Sequence, residues 1–291
     1  MIIMQREYII KISYVLHKVK MNFKLCVGLI ILLSLLALGL ISIYTPPRYR
    51  NWYSLPKDMP PQLGSDPAYW LGTSSNGRSV LYSLMRAILN SLIIGFITAL
   101  AASHIGLFLG MISGVKGGLT DRIISFLADA FIAIPPLPLH IVVVIATKEY
   151  ISLPLLGLLF VIPSSWAWPA RQVRAVVLSL REREYVLTSL LSGNNVLQIV
   201  VGEMMPHLIG WHVANFINTV LFAIGSEMGL AILGLSLLRE DTLGVMVYWI
   251  IYFGALYRGI WWWTLAPVIT TIVLFASLYL ISSGIQELST K

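Results

Sequence analysis

Apolar residues along this chain fall in long unbroken blocks, not in the three-to-four-residue periodicity of a helix half-exposed to water. LCVGLIILLSLLALGLISIY, residues 25–44, carries no charged residue, and about 20 apolar residues are what a helix needs to cross a hydrocarbon layer. Further blocks at 88–113, 121–147, 153–174, 207–237 and 261–283 predict five more spans. The expected fold is therefore an all-α, polytopic membrane protein of six transmembrane helices. The first block is too long for a signal-peptide core, and no small-residue cleavage site follows it, so it is kept as a span. Within the third block lies IPPLP, residues 134–138. Its prolines remove backbone donors and predict a kink. Membrane helices accept such a break where protein or water satisfies the freed carbonyls, a condition met equally by a helix facing a cavity and by tight packing.

Two polar interruptions stand out. Residues 45–80 are rich in Pro, Gly, Asp and Ser and read as an extended extracellular segment. Residues 181–206 are different. Arg181, Glu182, Arg183 and Glu184 open the stretch, Gly193-Asn194-Asn195 breaks it, Glu203 sits inside it and Pro206 closes it. Gly and Asn tolerate the left-handed backbone that ends helices. The pattern predicts a helix over 184–192, a turn, and a second short helix over 194–203. Both carry apolar faces outside the bilayer, and such a surface needs a partner, either lipid headgroups or another protein. An interfacial or re-entrant helix pair with no protein partner is the alternative. The chain thus divides into a cytoplasmic or interfacial segment 1–24, a first span 25–44, an extracellular segment 45–87 and a five-span core 88–291 holding the 181–206 loop.

Composition supports this reading. Of 291 residues 57% are hydrophobic and 11% charged, against roughly 25% charged in soluble domains. A formal charge of +7 does not point to nucleic acid, because basic residues gather at span ends, as the positive-inside bias requires. Lys11, Lys18, Lys20 and Lys24 put the N-terminus in the cytoplasm, and six spans return the C-terminus to the same side. Both termini are then cytoplasmic in a multi-pass plasma-membrane protein. The single cysteine, Cys26, excludes an internal disulfide and any multi-cysteine metal site.

The 181–206 stretch also resembles the EAA loop of ABC-importer permeases, the cytoplasmic element that docks into ATP-hydrolysing subunits. In the branch importing peptides, nickel and some oligosaccharides the pattern is close to REREYVEAARALG, then twelve residues, then Pro. Here REREYVLTSLLSG occupies 181–193, with Gly193 at the loop glycine and Pro206 at the matching spacing. Leu187, Thr188 and Ser189 stand where Glu-Ala-Ala is usual, so a salt bridge from that glutamate is absent. Other motifs extend the resemblance. LGTSSNGRSVLYSL, residues 71–84, is similar to LGTDxxGRDVLSRL, keeping Gly72, Thr73, Gly77 and Arg78 while Ser74 and Ser79 replace two aspartates. GVKGGLTDRIISFLAD, residues 114–129, keeps Gly117, Gly118, Asp121, Arg122 and Asp129 of GYFGGWxDRxxMRxxD. LGLSLLREDTLGVM at 233–246 resembles LGLGxxxPxxxWGxM without its proline and tryptophan, and the ISSGIQELSTK ending resembles LLGDGLRDALDPR. The family is the C-type permease subunit of dipeptide/oligopeptide/nickel importers.

That resemblance implies a coupling role for Glu184, Leu187, Ser189, Gly193, Asn194, Asn195, Glu203 and Pro206. It also implies partners: a homologous second permease, two ATP-binding subunits and an extracellular substrate-binding protein, with lipid around them. The solute is then a peptide first, an oligosaccharide or nickel complex next. No G-x-x-x-x-G-K-[ST] phosphate loop occurs, so the expectation is no enzyme and no cofactor in this chain, with ATP and Mg on the partner subunits. His17, His104, His140, His207 and His212 show no H-E-x-x-H spacing.

In the fifth span His212, Asn215, Thr219 and Ser226 fall within about 60° of arc, a polar stripe that lines either a translocation pathway or a neighbouring helix. Glu227 lies off that stripe and suits a structural pairing or an outer-gate contact. Asp121 complements the positive start of the third span. Asp129, two turns deeper, pairs with Arg171 or Arg174, which mark the inner boundary of the fourth span. Arg78 and Arg86 anchor the outer interface or guide a binding protein. Rival classes are an ATP-independent secondary transporter or channel, for which internal repeats are expected and none is visible, and a membrane scaffold.

Overall fold

A computed structural model describes residues 22–64, 66–147, 152–159 and 165–290. Residues 1–21, which hold most of the 1–24 segment, lie outside them. The helices are α1 (Phe23–Ile41), α2 (Val80–Lys116), α3 (Gly118–Ala133), α4 (Pro136–Thr147), α5 (Leu153–Leu159), α6 (Ala167–Arg181), α7 (Glu184–Leu191), α8 (Val196–Ile199), α9 (Met205–Ile232), α10 (Leu243–Tyr252) and α11 (Trp261–Thr290). Among the described residues there is no strand, only a single Thr73–Ser79 bridge.

Among the described residues, four helical stretches are long and apolar enough to cross a membrane: Phe23–Tyr44, Val80–Lys116, Val200–Ile232 and Trp261–Leu288. The expected third span is a broken pair instead. α3 and α4 meet at 92°, because Pro135 and Pro136 cannot donate the backbone bonds that would carry one helix into the other. Counted as one span, the pair brings the total to five. Over the expected fourth span, 153–174, the described residues hold α5 and α6, and α6 runs past the expected end to Arg181; residues 160–164 lie outside the described residues.

α2 is longer than expected. Its 37 residues span about 55 Å at 1.5 Å per residue, well beyond a hydrocarbon layer of about 30 Å. It starts at Val80 because Ser79 caps it, accepting from the Tyr82 N–H at 3.4 Å. Serine is among the preferred N-caps, so its replacement of aspartate in the LGTSSNGRSVLYSL motif keeps the cap. α2 is also the scaffold's spine. Gly106, Gly110 and Gly114, four residues apart on one face, let α6 approach to backbone contact. A Cβ on Gly110 would lie 2.5 Å from the Ala170 carbonyl oxygen, and one on Gly106 2.6 Å from Pro169 Cβ. Small residues at this spacing bring membrane helices together by close packing.

The core has three parts. Leu84, Ile88, Ile224, Leu243, Leu274 and Leu278 join α2, α9, α10 and α11. Ile94, Leu156 and Leu230 bind α5 to α2 and α9. The third cluster, at the opposite end of α2, belongs to the site below.

The 45–79 segment is ordered rather than extended. Thr73 Oγ1 donates to the Pro56 carbonyl (2.6 Å) and accepts from the Met59 N–H (2.9 Å), while Trp262 Nε1 donates to the Thr73 carbonyl (3.1 Å). Arg258 pairs with Asp58. Its many prolines do exclude a long helix, as expected, but Thr73, Asp58 and Trp52 find partners that fold it back onto α10, α11 and the turn between them.

Candidate functional site: a docking element and a lateral cavity

The 181–206 element forms from local signals that can be followed atom by atom. α7 ends at Leu191, and Gly193 takes φ +85°. The Asn194 N–H then reaches back to the Ser189 carbonyl at 3.3 Å, the six-to-one bond of a Schellman stop. Asn194 Nδ2 donates to Ser189 Oγ at 2.8 Å, so Ser189 is buried inside the turn. A reciprocal capping pair follows. Asn195 Oδ1 accepts from the Gln198 N–H (2.9 Å), and Gln198 Oε1 accepts from the Asn195 N–H (2.8 Å). This is the capping-box logic with an amide pair. Asn195→Ala is expected to lower stability by about 1 kcal/mol, read as increased amide exchange confined to 195–199.

The second short helix is not separate. α8 passes through a π-turn, Val200–Met204, directly into α9, and Glu203 lies half-buried in that turn. Pro206 is the second residue of α9, directly after the π-turn.

What makes the element mechanically relevant is its inner face. Val186, Ile199, Met204 and Leu208 pack with Leu107 and Met111 of α2 and Val173, Val177 and Leu180 of α6. Tyr185 faces His207, ring centroids 5.7 Å apart. The outer face is open: Leu191 is 87% exposed and Val201 57%, flanked by exposed Arg181, Glu182, Arg183 and Glu184. Leu187 contributes its backbone to α7.

Two ion pairs brace the same end. Arg174 binds Asp121 through Nε and through Nη2 (2.6 Å), and Arg171 binds Asp129 (2.6 Å). Ser113 of α2 donates to Asp121 as well. The expected pairing of Asp129 with this arginine pair is present, and Asp121 is a bridge between α2, α3 and α6 rather than only a helix-end charge. Gly117 and Gly118, both at positive φ, make the tight turn from α2 into α3 that puts Asp121 there. Arg122 is exposed.

At the opposite end, Arg78 is buried and donates to both carboxylate oxygens of Asp241 at 2.5 Å. It is thus an internal clamp, not an outward-facing anchor. Asn90 Nδ2 donates to the Asp241 carbonyl (2.8 Å), and Ser91 Oγ accepts from the Leu243 N–H (3.0 Å). Glu227, 1% exposed, accepts from Ser236 and Thr242 at 2.7 Å each. Thr242 in turn caps α10. Glu227 therefore has the structural pairing expected of it, with hydroxyls in place of a cation. Gly72 and Gly77 sit at positive φ in the turn that delivers Thr73 and Arg78.

The polar stripe of the fifth span divides. Asn215 and Thr219 line a lateral cavity of about 340 Å³ between α3, α6 and α9, walled by Phe131, Trp168 and Phe222. His212 turns away from it and meets His104 of α2 edge-on, with centroids 4.8 Å apart. Ser226 is not among the lining residues. Asn218, outside the expected set, does line the cavity; it stands one residue before Thr219, on the flank of the stripe facing α3 and α6. Asn215 is 4% exposed, and its Nδ2 has no partner, a state that costs about 1–3 kcal/mol. Thr219 Oγ1 donates to the Asn215 carbonyl at 2.8 Å.

Long apolar helices, a broken span and an ordered helix pair packed beneath them define a multi-pass helical membrane protein. Residues 106–291 match the family described as the binding-protein-dependent transport system inner membrane component, and the chain belongs to that family. It is 30% identical over 244 residues to the oligopeptide transport system permease protein OppC of Bacillus subtilis, covering 79% of this chain and 77% of that one. With the nickel transport system permease protein NikC of Escherichia coli it shares 33% over 196 residues, 65% and 68% of the two chains. With OppC of Mycobacterium tuberculosis (strain H37Rv) it shares 31% over 180 residues, and that match spans 62% of each chain.

Proposed function

We propose that this chain is the transmembrane permease subunit of an ATP-driven importer, forming half of a translocation pathway with a second permease. Two ATP-binding subunits dock under the 181–206 element, and an external binding protein delivers the solute. Peptide is the leading solute, since the similar chains include oligopeptide permeases, with oligosaccharide or a nickel complex next. Both termini then face the cytoplasm.

The observation that carries this reading is the two-sided 184–208 element. One face is fused into the α2–α6–α9 core, and the other presents Leu191 and Val201 with a charged rim. A push on the outer face is transmitted to three helices at once, because a packed core does not deform continuously. ATP-driven closure beneath thereby tilts the spans between inward- and outward-open states.

Purification from the native membrane in mild detergent, followed by intact-complex mass spectrometry, tests this. The expected complex holds this chain, a second permease and two nucleotide-binding subunits. A lone chain or homodimer reproducibly free of ATPases would instead make the element an interfacial helix pair and the protein an ATP-independent transporter.

A further inference from the structure

We infer that the lateral cavity between α3, α6 and α9 is a contact station that engages the solute through uncharged amide chemistry, reading its backbone and not the charge of its side chains. The inference rests on the permease reading above and concerns what the pathway recognises.

Three observations meet at this cavity. Among the described residues, none that lines it is charged. Asp129 pairs with Arg171 and Asp121 with Arg174 at one end of the molecule, and Arg78 pairs with Asp241 at the other. An entering solute therefore finds no ion-pair partner in the cavity wall. Second, the wall's polar groups are two side-chain amides, Asn215 and Asn218, beside the hydroxyls of Ser165 and Thr219. Asn215 and Asn218 each offer a carbonyl and an NH₂, the same donor and acceptor set that a peptide bond presents. Third, one of those groups is unsatisfied: Asn215 is buried, and its Nδ2 has no partner. A half-turn of that amide about its last side-chain bond exchanges its two ends, so it can meet an acceptor or a donor on the solute.

The rest of the wall suits the same cargo. Phe131, Trp168 and Phe222 offer faces for apolar side chains without specifying one. Ligand sites commonly pair such apolar walls with a few placed polar groups. Charge would then be selected before the solute reaches the membrane, by the protein that delivers it.

The test uses the whole complex, reconstituted with its binding protein into vesicles, and three probes: Ala-Ala-Ala, Ala-Lys-Ala and Ala-Glu-Ala. Uptake by each variant is expressed relative to wild type for the same peptide, which cancels the preference of the binding protein. Asn215→Asp places a carboxylate in the cavity without changing its size. Uptake of Ala-Glu-Ala relative to Ala-Lys-Ala is expected to fall about tenfold, or 1.4 kcal/mol. Asn215→Leu is expected to reduce all three by the same factor. In a Cys26→Ser background, Asn218→Cys is expected to react with a membrane-impermeant maleimide and to be protected by Ala-Ala-Ala.

A cysteine at 218 that stays unreactive in the transporting complex, or unprotected by peptide, overturns the inference. So does Asn215→Asp with unchanged peptide ratios. In both cases wild-type uptake persists and the permease reading stands. Absence of tripeptide uptake from the intact wild-type complex brings down the peptide reading of the solute, and this inference with it.

Discussion

Gly193→Pro uncouples the machine: ATP-dependent uptake falls by about 5- to 150-fold while the complex still assembles. Proline holds φ near −65°, and Gly193 sits at +85°, so the Schellman stop cannot close. The Asn194 N–H loses the Ser189 carbonyl, the side-chain bond from Asn194 to Ser189 Oγ goes with it, and α7 no longer ends where α8 begins. Losing those two hydrogen bonds, at about 0.5–1.5 kcal/mol each, removes about 1–3 kcal/mol, and a coupling energy of that size corresponds to the fold-change stated. No atom lies within 4 Å of a Cβ built on Gly193, so the effect is conformational rather than a clash. Uptake and substrate-stimulated ATPase measured side by side in vesicles check it. Both at wild-type level would remove the coupling role from this turn.

Arg78→Ala produces the largest loss of stability. The substitution strands Asp241, whose side chain is 6% exposed, without its hydrogen-bonded counter-charge, leaving only the electrostatic influence of Arg50, and breaking one side of a buried ion pair costs about 3–5 kcal/mol. The damage is focused on the start of α10, where Asn90, Ser91 and Glu227 also converge. Thermal unfolding of the detergent-purified chain is expected to show a clearly lowered midpoint. Arg78→Met combined with Asp241→Leu is expected to recover most of the loss, because an apolar pair of similar volume does not pay to bury charge. Equal loss in the single and double variants would mean that Arg78 acts through packing alone.

The parts of this fold legible in the sequence were those with local causes. The 25–44 block is a helix because nothing interrupts it, and the 184–192 helix ends where Gly193 and Asn194 permit a left-handed turn. Neither depends on a distant residue. The bend between α3 and α4 was legible as a kink at IPPLP, but not its angle of 92°. The inner end expected at residue 174 fell short, since α6 runs on to Arg181: hydropathy stops a span at its arginines, whereas Arg171 and Arg174 pair with Asp129 and Asp121 of α3. The site divided on the same line. Angular arithmetic on the fifth span placed four polar residues on one stripe, but arithmetic cannot show which flank meets a cavity. Asn218 lies on the flank that does, and His212 on the one that meets α2. The role of Arg78 needed Asp241, 163 residues away.

The π-turn at Val200–Met204 sets the heading of everything beneath the membrane. Such a turn houses one residue more than an α-helical ladder requires. That spare residue works as a phase offset between α9 and the short helices α7 and α8. With a plain α-helical turn in its place, the chain before it would be rotated by about 100° about the α9 axis. Leu191 would then swing toward a different bearing, while the core helices stayed where they are. The aim of the element is thus written in a local winding number, separately from the packing that holds it.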